Sequence, residues 1–133
     1  MDPRISIITL GVEDIERATA FYRDGLELPE HEFDGGITFF ETVGTWLALF
    51  PREELAADAD VTAEGNGFRG FTLAHNVESE AAVDAVLAEA DAAGAEIVKS
   101  AQATDWGGYS GYFADPDGFL WEVAHAPDFT VES

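Results

Sequence analysis

Two stretches of this 133-residue chain, each about 60 residues long, carry the same order of secondary-structure signals. Such a repeat is read before any motif, because it sets the architecture. The first stretch opens with a β-branched strand, residues 5–12, Ile-Ser-Ile-Ile-Thr-Leu-Gly-Val. Glu13-Asp14 then starts a helix whose apolar face is Ile15, Ala18, Phe21 and Tyr22, and Gly25 ends it. Strands are expected over 36–41 and 45–50, with Val43-Gly44 at the turn between them. Pro51-Arg-Glu-Glu-Leu-Ala reads as a short helix or turn, and the acidic, glycine-bearing residues 57–67 read as a loop. The order then restarts. Phe71–Val77 is a strand, residues 80–93 form an Ala-rich helix closed by Gly94, and strands follow over 96–100, 108–114 and 119–124. Asp115-Pro-Asp-Gly118 is a strong turn signal between the last two. The expectation is an α+β fold of two tandem βαβββ units in one domain over 1–133. Unit one spans about 4–56, a linker about 57–67, and unit two about 68–126. A unit with so few strands leaves one sheet face uncovered, and two units can pair to bury it or to enclose a cavity.

Composition narrows the function. There are 27 acidic and 6 basic side chains, so the net charge is 6 − 27 = −21. Nucleic acid binding needs Lys and Arg to neutralise phosphates, and the six cations are scattered. Anionic membrane surfaces are disfavoured for the same reason. No apolar run approaches the roughly 20 residues that cross a bilayer. The N-terminus lacks the basic-then-apolar pattern of a secretory signal, so the expected location is the cytoplasm. With no Cys, disulfides and thiolate-held metals are excluded. The carboxylates are spread along a chain that is 47% hydrophobic, which marks a globular surface rather than an acidic tail. We read that surface as salt-adapted, with dissolved ions screening its self-repulsion.

Leu10-Gly-Val-Glu-Asp with Ala20-Phe-Tyr-Arg-Asp-Gly-Leu resembles the opening of vicinal-oxygen-chelate proteins, the glyoxalase / bleomycin-resistance / extradiol-dioxygenase superfamily. Asp115-Pro-Asp-Gly-Phe-Leu-Trp-Glu122 resembles the family's closing turn and strand. The resemblance covers nearly the whole chain. It implies a cupped, mixed β-sheet with helices outside, a homodimer, and commonly one divalent metal that polarises substrate oxygens. Carried over by position, the four ligand places fall on Ile7, Ala48, either Thr72 or Gly70, and Glu122. Only Glu122 matches. A divalent transition metal needs about three protein ligands, so no cofactor is expected unless other groups complete a metal's shell.

Strand alternation then gives a pocket inventory. Ile7, Thr9 and Gly11 share a face, as do Trp46, Ala48 and Phe50, then Thr72, Ala74 and Asn76, and Leu120 with Glu122. Ser110 and Tyr112 are expected from the strand beside Glu122. In antibiotic-modifying relatives the positions that resemble Thr9 and Tyr112 contact substrate. Trp106 and Tyr109 lie in a glycine-rich stretch suited to a pocket wall. The expected ligand-binding set is therefore Thr9, Trp46, Phe50, Thr72, Asn76, Trp106, Tyr109 and Tyr112, with Glu122 as the one candidate catalytic group. His75 falls on the opposite face, His31 in a loop, and His125 near the C-terminus, so no histidine cluster is expected. The bland alternative is that these aromatics simply fill the sheet.

An apolar and aromatic hollow with few polar groups suits a small organic molecule. The first function reading is metal-independent binding of such a molecule. The alternative is a lyase- or dioxygenase-type enzyme that uses Glu122. A purely structural module has no positive support. The charge makes its own prediction. Tm should rise by several degrees from dilute buffer to molar KCl in a thermal melt, and an unchanged Tm rules out salt adaptation.

Overall fold

The computed structural model describes residues 1, 3–33, 35–65, 67–69, 71–105 and 107–127. The chain divides after residue 66 into two compact units, each built on one open four-stranded mixed sheet. The α+β plan expected from the repeat is the plan found.

In unit one, β1 (Ile7–Val12) leads into α1 (Ile15–Ala20). Asp14 caps α1, its carboxylate accepting the Arg17 N–H at 3.1 Å. The helix widens into a π turn over Phe21–Gly25, where the Leu26 N–H reaches the Phe21 carbonyl at 2.9 Å. The strands β2 (Glu30–His31), β3 (Thr38–Phe40) and β4 (Trp46–Pro51) follow, then α2 (Arg52–Asp58). Sheet order is β1-β4-β3-β2, with β1 parallel to β4 and the other pairs antiparallel. The sequence shows no strand at 30–31. His31, expected in a loop, is a β2 residue paired with Phe39. The linker expected from residue 57 is helical to Asp58.

The α1 side of this sheet is the core. Leu10, Val12, Phe40, Leu47 and Leu49 are buried there against Ala18, Phe21 and Tyr22. The Tyr22 ring packs edge-on to Phe21 at 4.9 Å and beside Phe40 at 5.9 Å. Thr19 and Thr38 hydroxyls share a buried 2.9 Å hydrogen bond that ties α1 to β3. The Arg52 guanidinium donates to the carbonyls of Ala63 and Gly65, fastening the segment beyond α2.

Unit two repeats the plan with β5 (Leu73–Asn76), α3 (Glu80–Ala93), β6 (Glu96–Ala103), β7 (Tyr109–Ala114) and β8 (Leu120–His125). Its order, β5-β8-β7-β6, again sets the first strand parallel to the last. Ser79 caps α3 by accepting the Ala82 N–H at 3.0 Å. At the other end Gly94 adopts φ +110, and the Gly94 and Ala95 N–H groups reach the Asp91 and Ala90 carbonyls. Val83, Leu87 and Ala90 form the buried stripe of α3. On the sheet side of this core Phe113 stacks on Trp121, with ring centroids 6.0 Å apart.

Gly111 lies under α3 where β6 bulges between Ile97 and Gln102. A Cβ there would stand 2.8 Å from the Leu87 Cδ1 and from the Lys99 carbonyl oxygen, and 2.9 Å from the Ala101 nitrogen. Two of those neighbours are backbone, so the site cannot yield cheaply. Gly111→Ala is expected to destabilise unit two by about 1–3 kcal/mol, read by urea denaturation. A loss under half a kcal/mol, the size of an ordinary surface change, contradicts this packing.

Candidate functional site

Pairing registers decide which side chains share a face. In unit one the partners Ile7↔Trp46, Thr9↔Ala48 and Gly11↔Phe50 point away from α1. Phe39 pairs with Ala48 and His31 with Phe39, so both join that face. It is called the site face below. Trp46 and Phe50 are half-buried and Ala48 is buried. At one end Gly11 lets α2 approach, since a Cβ there would meet the Arg52 Cα at 3.2 Å. At the other, an open cavity of about 910 Å³ is bounded by Met1, Pro3, Ile5, Ile7 and Trp46.

The same face holds a group that sequence reading missed. The His31 Nδ1 and the Glu41 carboxylate are 2.8 Å apart. The His31 ring lies 5.1 Å from Trp46, and Phe39 bridges Trp46 at 6.4 Å and Phe33 at 5.4 Å. Alternation counted outward from Ile37-Thr-Phe-Phe-Glu41 would have placed Phe39 and Glu41 together. Nothing local marks Glu30-His31 as a strand.

In unit two, Ala74↔Glu122, Tyr112↔Glu122 and Ser110↔Ala124 define the face turned away from α3. Asn76, opposite Ala124, lies on it and is exposed, as is Thr72 just before β5. Glu122 is half-buried, and among the described residues no hydrogen bond reaches its carboxylate. Lys99, the single lysine, sits opposite Tyr112 in the β6–β7 register, a neighbour that the sequence reading did not place there.

The turn before β8 positions Glu122. The buried Asp115 carboxylate accepts the Asp117 and Phe119 N–H groups at 2.9 and 2.8 Å. Gly118 adopts φ +85, which favours glycine. Arg69 donates to the Asp117 carbonyl at 2.9 Å and lies 4.5 Å over the Phe119 ring.

One expected position reads differently in the structure. Tyr109 lies on the α3 face, where its hydroxyl donates to the Asp84 carboxylate at 2.8 Å, so it does not join Tyr112 and Glu122. His75, opposite Val123, is on the α3 face and exposed, and His125 is held there by the Val77 carbonyl at 3.2 Å. Trp106 and Gly70 fall outside the described residues.

This architecture defines a class, and comparison identifies it. The family model for the Glyoxalase/Bleomycin resistance protein/Dioxygenase superfamily matches residues 4–123, and the chain belongs to that superfamily. It is similar to a glyoxalase-related enzyme from Fulvimarina pelagi at 32% identity and TM-score 0.87, over 98% of this chain and 94% of that one. It is similar to a family enzyme from Burkholderia phytofirmans PsJN at 24% identity and TM-score 0.80, over 92% and 98% of the two chains. Lactoylglutathione lyase from Agrobacterium tumefaciens resembles it at 25% identity and TM-score 0.73, over 99% and 100%. No curated protein matches it.

The registers also bear on the metal that the family commonly holds. Ala48 pairs with Thr9, and Glu122 pairs with Ala74. Two residues upstream of those partners stand Ile7 and Thr72, so equivalent positions in the two units are Ile7, Ala48, Thr72 and Glu122. In unit one Ile7 and Ala48 carry no donor atom, and in unit two Thr72 and Glu122 carry one hydroxyl and one carboxylate, so neither pair supplies the roughly three ligands that a divalent metal needs. Among the described residues no three His, Asp or Glu side chains gather into another metal-binding group.

Burial, and then the nearby Glu122 charge, hold the Tyr112 phenol above its ordinary value of 10.0. Because the folded state keeps the proton longer, Tyr112 ionisation lowers stability as pH rises beyond about 10, up to the folded value. The Asp84 bond, then burial, raise Tyr109 as well. In an ultraviolet phenolate titration, Glu122→Gln should move one late-titrating tyrosine to lower pH, and Tyr112→Phe should remove it. If Glu122→Gln shifts neither late tyrosine, the charge assignment is wrong.

Proposed function

We propose that this protein is a metal-independent binding member of the superfamily, holding a small organic molecule against the site faces of its sheets. The observation that carries this reading is the donor set Ile7, Ala48, Thr72 and Glu122, in which two of the four side chains have no donor atom. The residues beside those positions favour an organic ligand. Trp46 and Phe50 offer aromatic surface, and Thr9, Asn76, Tyr112 and Glu122 offer polar groups. The open cavity next to Ile7 and Trp46 gives such a molecule room. The assembly is read as a homodimer, tested by light scattering.

A second reading is a lyase- or dioxygenase-type enzyme using Glu122 with a metal completed by other groups. Its support is Glu122 itself, half-buried opposite Tyr112, and the likeness to lactoylglutathione lyase from Agrobacterium tumefaciens.

Metal content separates the two. In protein purified in high KCl we expect less than a tenth of an equivalent of bound metal. A thermal melt is expected to stay within one degree on adding Mn, Fe, Co, Ni or Zn ions, because a ligand that binds only the folded state shifts Tm. A stoichiometric metal, or a shift of several degrees, overturns the first reading in favour of the second.

A further inference from the structure

Two features of the unit-one site face have no role in a core. Half of the surface of His31 and of Glu41 remains open, at 47% and 48%, although both sit in an aromatic cluster. Phe33 at the cluster's rim is 59% exposed, and Phe39 and Trp46 are only half-buried. A cluster built for packing would bury those rings on the α1 side, where Phe40 and Tyr22 are fully covered.

The hydrogen bond gives the cluster a direction. A carboxylate only accepts, so the His31 Nδ1 carries the proton shared with Glu41 at 2.8 Å. In the neutral ring, Nε2 is then an acceptor, and among the described residues no partner reaches it. Glu41 fixes both the tautomer and the ring plane, as an outer carboxylate does for a ligating histidine. The His31 ring is tilted 49° to the Trp46 ring, with ring centroids 5.1 Å apart.

From this geometry we infer a ligand subsite on the first sheet, made of His31, Glu41, Phe39 and Trp46, that takes a planar aromatic cation bearing N–H groups. The inference rests on the binding function proposed above and names the ligand class. Trp46 and Phe39 supply stacking and cation–π surface. The His31 Nε2 accepts an N–H from the ligand edge, and Glu41 supplies the nearby negative charge. The net charge of −21 raises the local concentration of cations and repels anions at long range. Neutral arenes would gain the stacking without the charge.

The test uses the full chain and proflavine, a planar diaminoacridinium cation whose fluorescence anisotropy reports binding. Titrations run in about 1 M KCl, where the screening length is about 3 Å and loose counterion binding to an acidic surface is suppressed. Binding should persist there. Trp46→Ala is expected to weaken it at least tenfold, and His31→Ala and Glu41→Ala about three- to tenfold each. His31→Gln, which restores an acceptor, should recover part of the loss. His75→Gln, an exposed histidine on the α3 face of the other unit, should change nothing. Melts of every variant check folding.

Loss of binding in high salt, or equal affinity across the unit-one variants, overturns the subsite. Absence of any binding does so too. Losses confined to Tyr112→Phe and Glu122→Gln also overturn it, while leaving small-molecule binding by this protein in place.

Discussion

Each sheet rests on a parallel pair between the first and last strands of its unit, Ile7–Val12 beside Trp46–Pro51 and Leu73–Asn76 beside Leu120–His125. A parallel pair cannot be closed by a tight turn and needs a long crossover. Here the crossover is the whole of the helix and the two intervening strands. The pair therefore fixes everything else in its unit. The helix must cover one face, so Leu10, Leu49 and Phe40 are buried with α1, and Val123 and Phe113 with α3. The opposite face is left for whatever the alternate residues are. Slipping either pair by one residue would exchange the faces and send Thr9 or Glu122 into the core.

That dependence explains what was legible in the sequence. The helix start after Asp14, the Gly94 stop and the Asp115–Gly118 turn are local signals, and all three appear where the residues place them, while the first strand begins two residues later than expected, at Ile7. The face shared by Thr9, Trp46 and Ala48 follows from counting by twos. Counting also puts Tyr109 opposite Tyr112, because they are three apart on one strand. The glycine-rich setting of Tyr109 argued for a pocket wall, and the alternation was the stronger rule. The Asp84 partner lies 25 residues away, which no local pattern shows.

His31 was illegible for a different reason. Its strand is two residues long and carries no apolar alternation, so propensity favours a loop. It is a strand because β3 offers an edge at Phe39 and Phe40, and because Glu41, ten residues on, binds its ring. Pairing with an existing edge overrides a weak local preference. The cluster it joins exists only in the folded sheet.

A metal centre and a stacking surface ask different things of the residues on a sheet face. A metal centre asks for several donors at fixed distances, and replacing one side chain by Ile or Ala removes a donor outright. A stacking surface asks only for area and a few polar edges, which Trp46, Phe39 and the His31–Glu41 couple supply without exact geometry. The largest fully buried side chains lie on the α1 and α3 sides of the sheets. Buried Tyr22, Phe40, Val83 and Val123 hold the registers whether or not the site faces carry donors. The turn that launches β8 is held by the Asp115 carboxylate, which accepts the Phe119 N–H, and by Arg69, which donates to the Asp117 carbonyl. Glu122 can then be kept in place by a structure that does not depend on its charge.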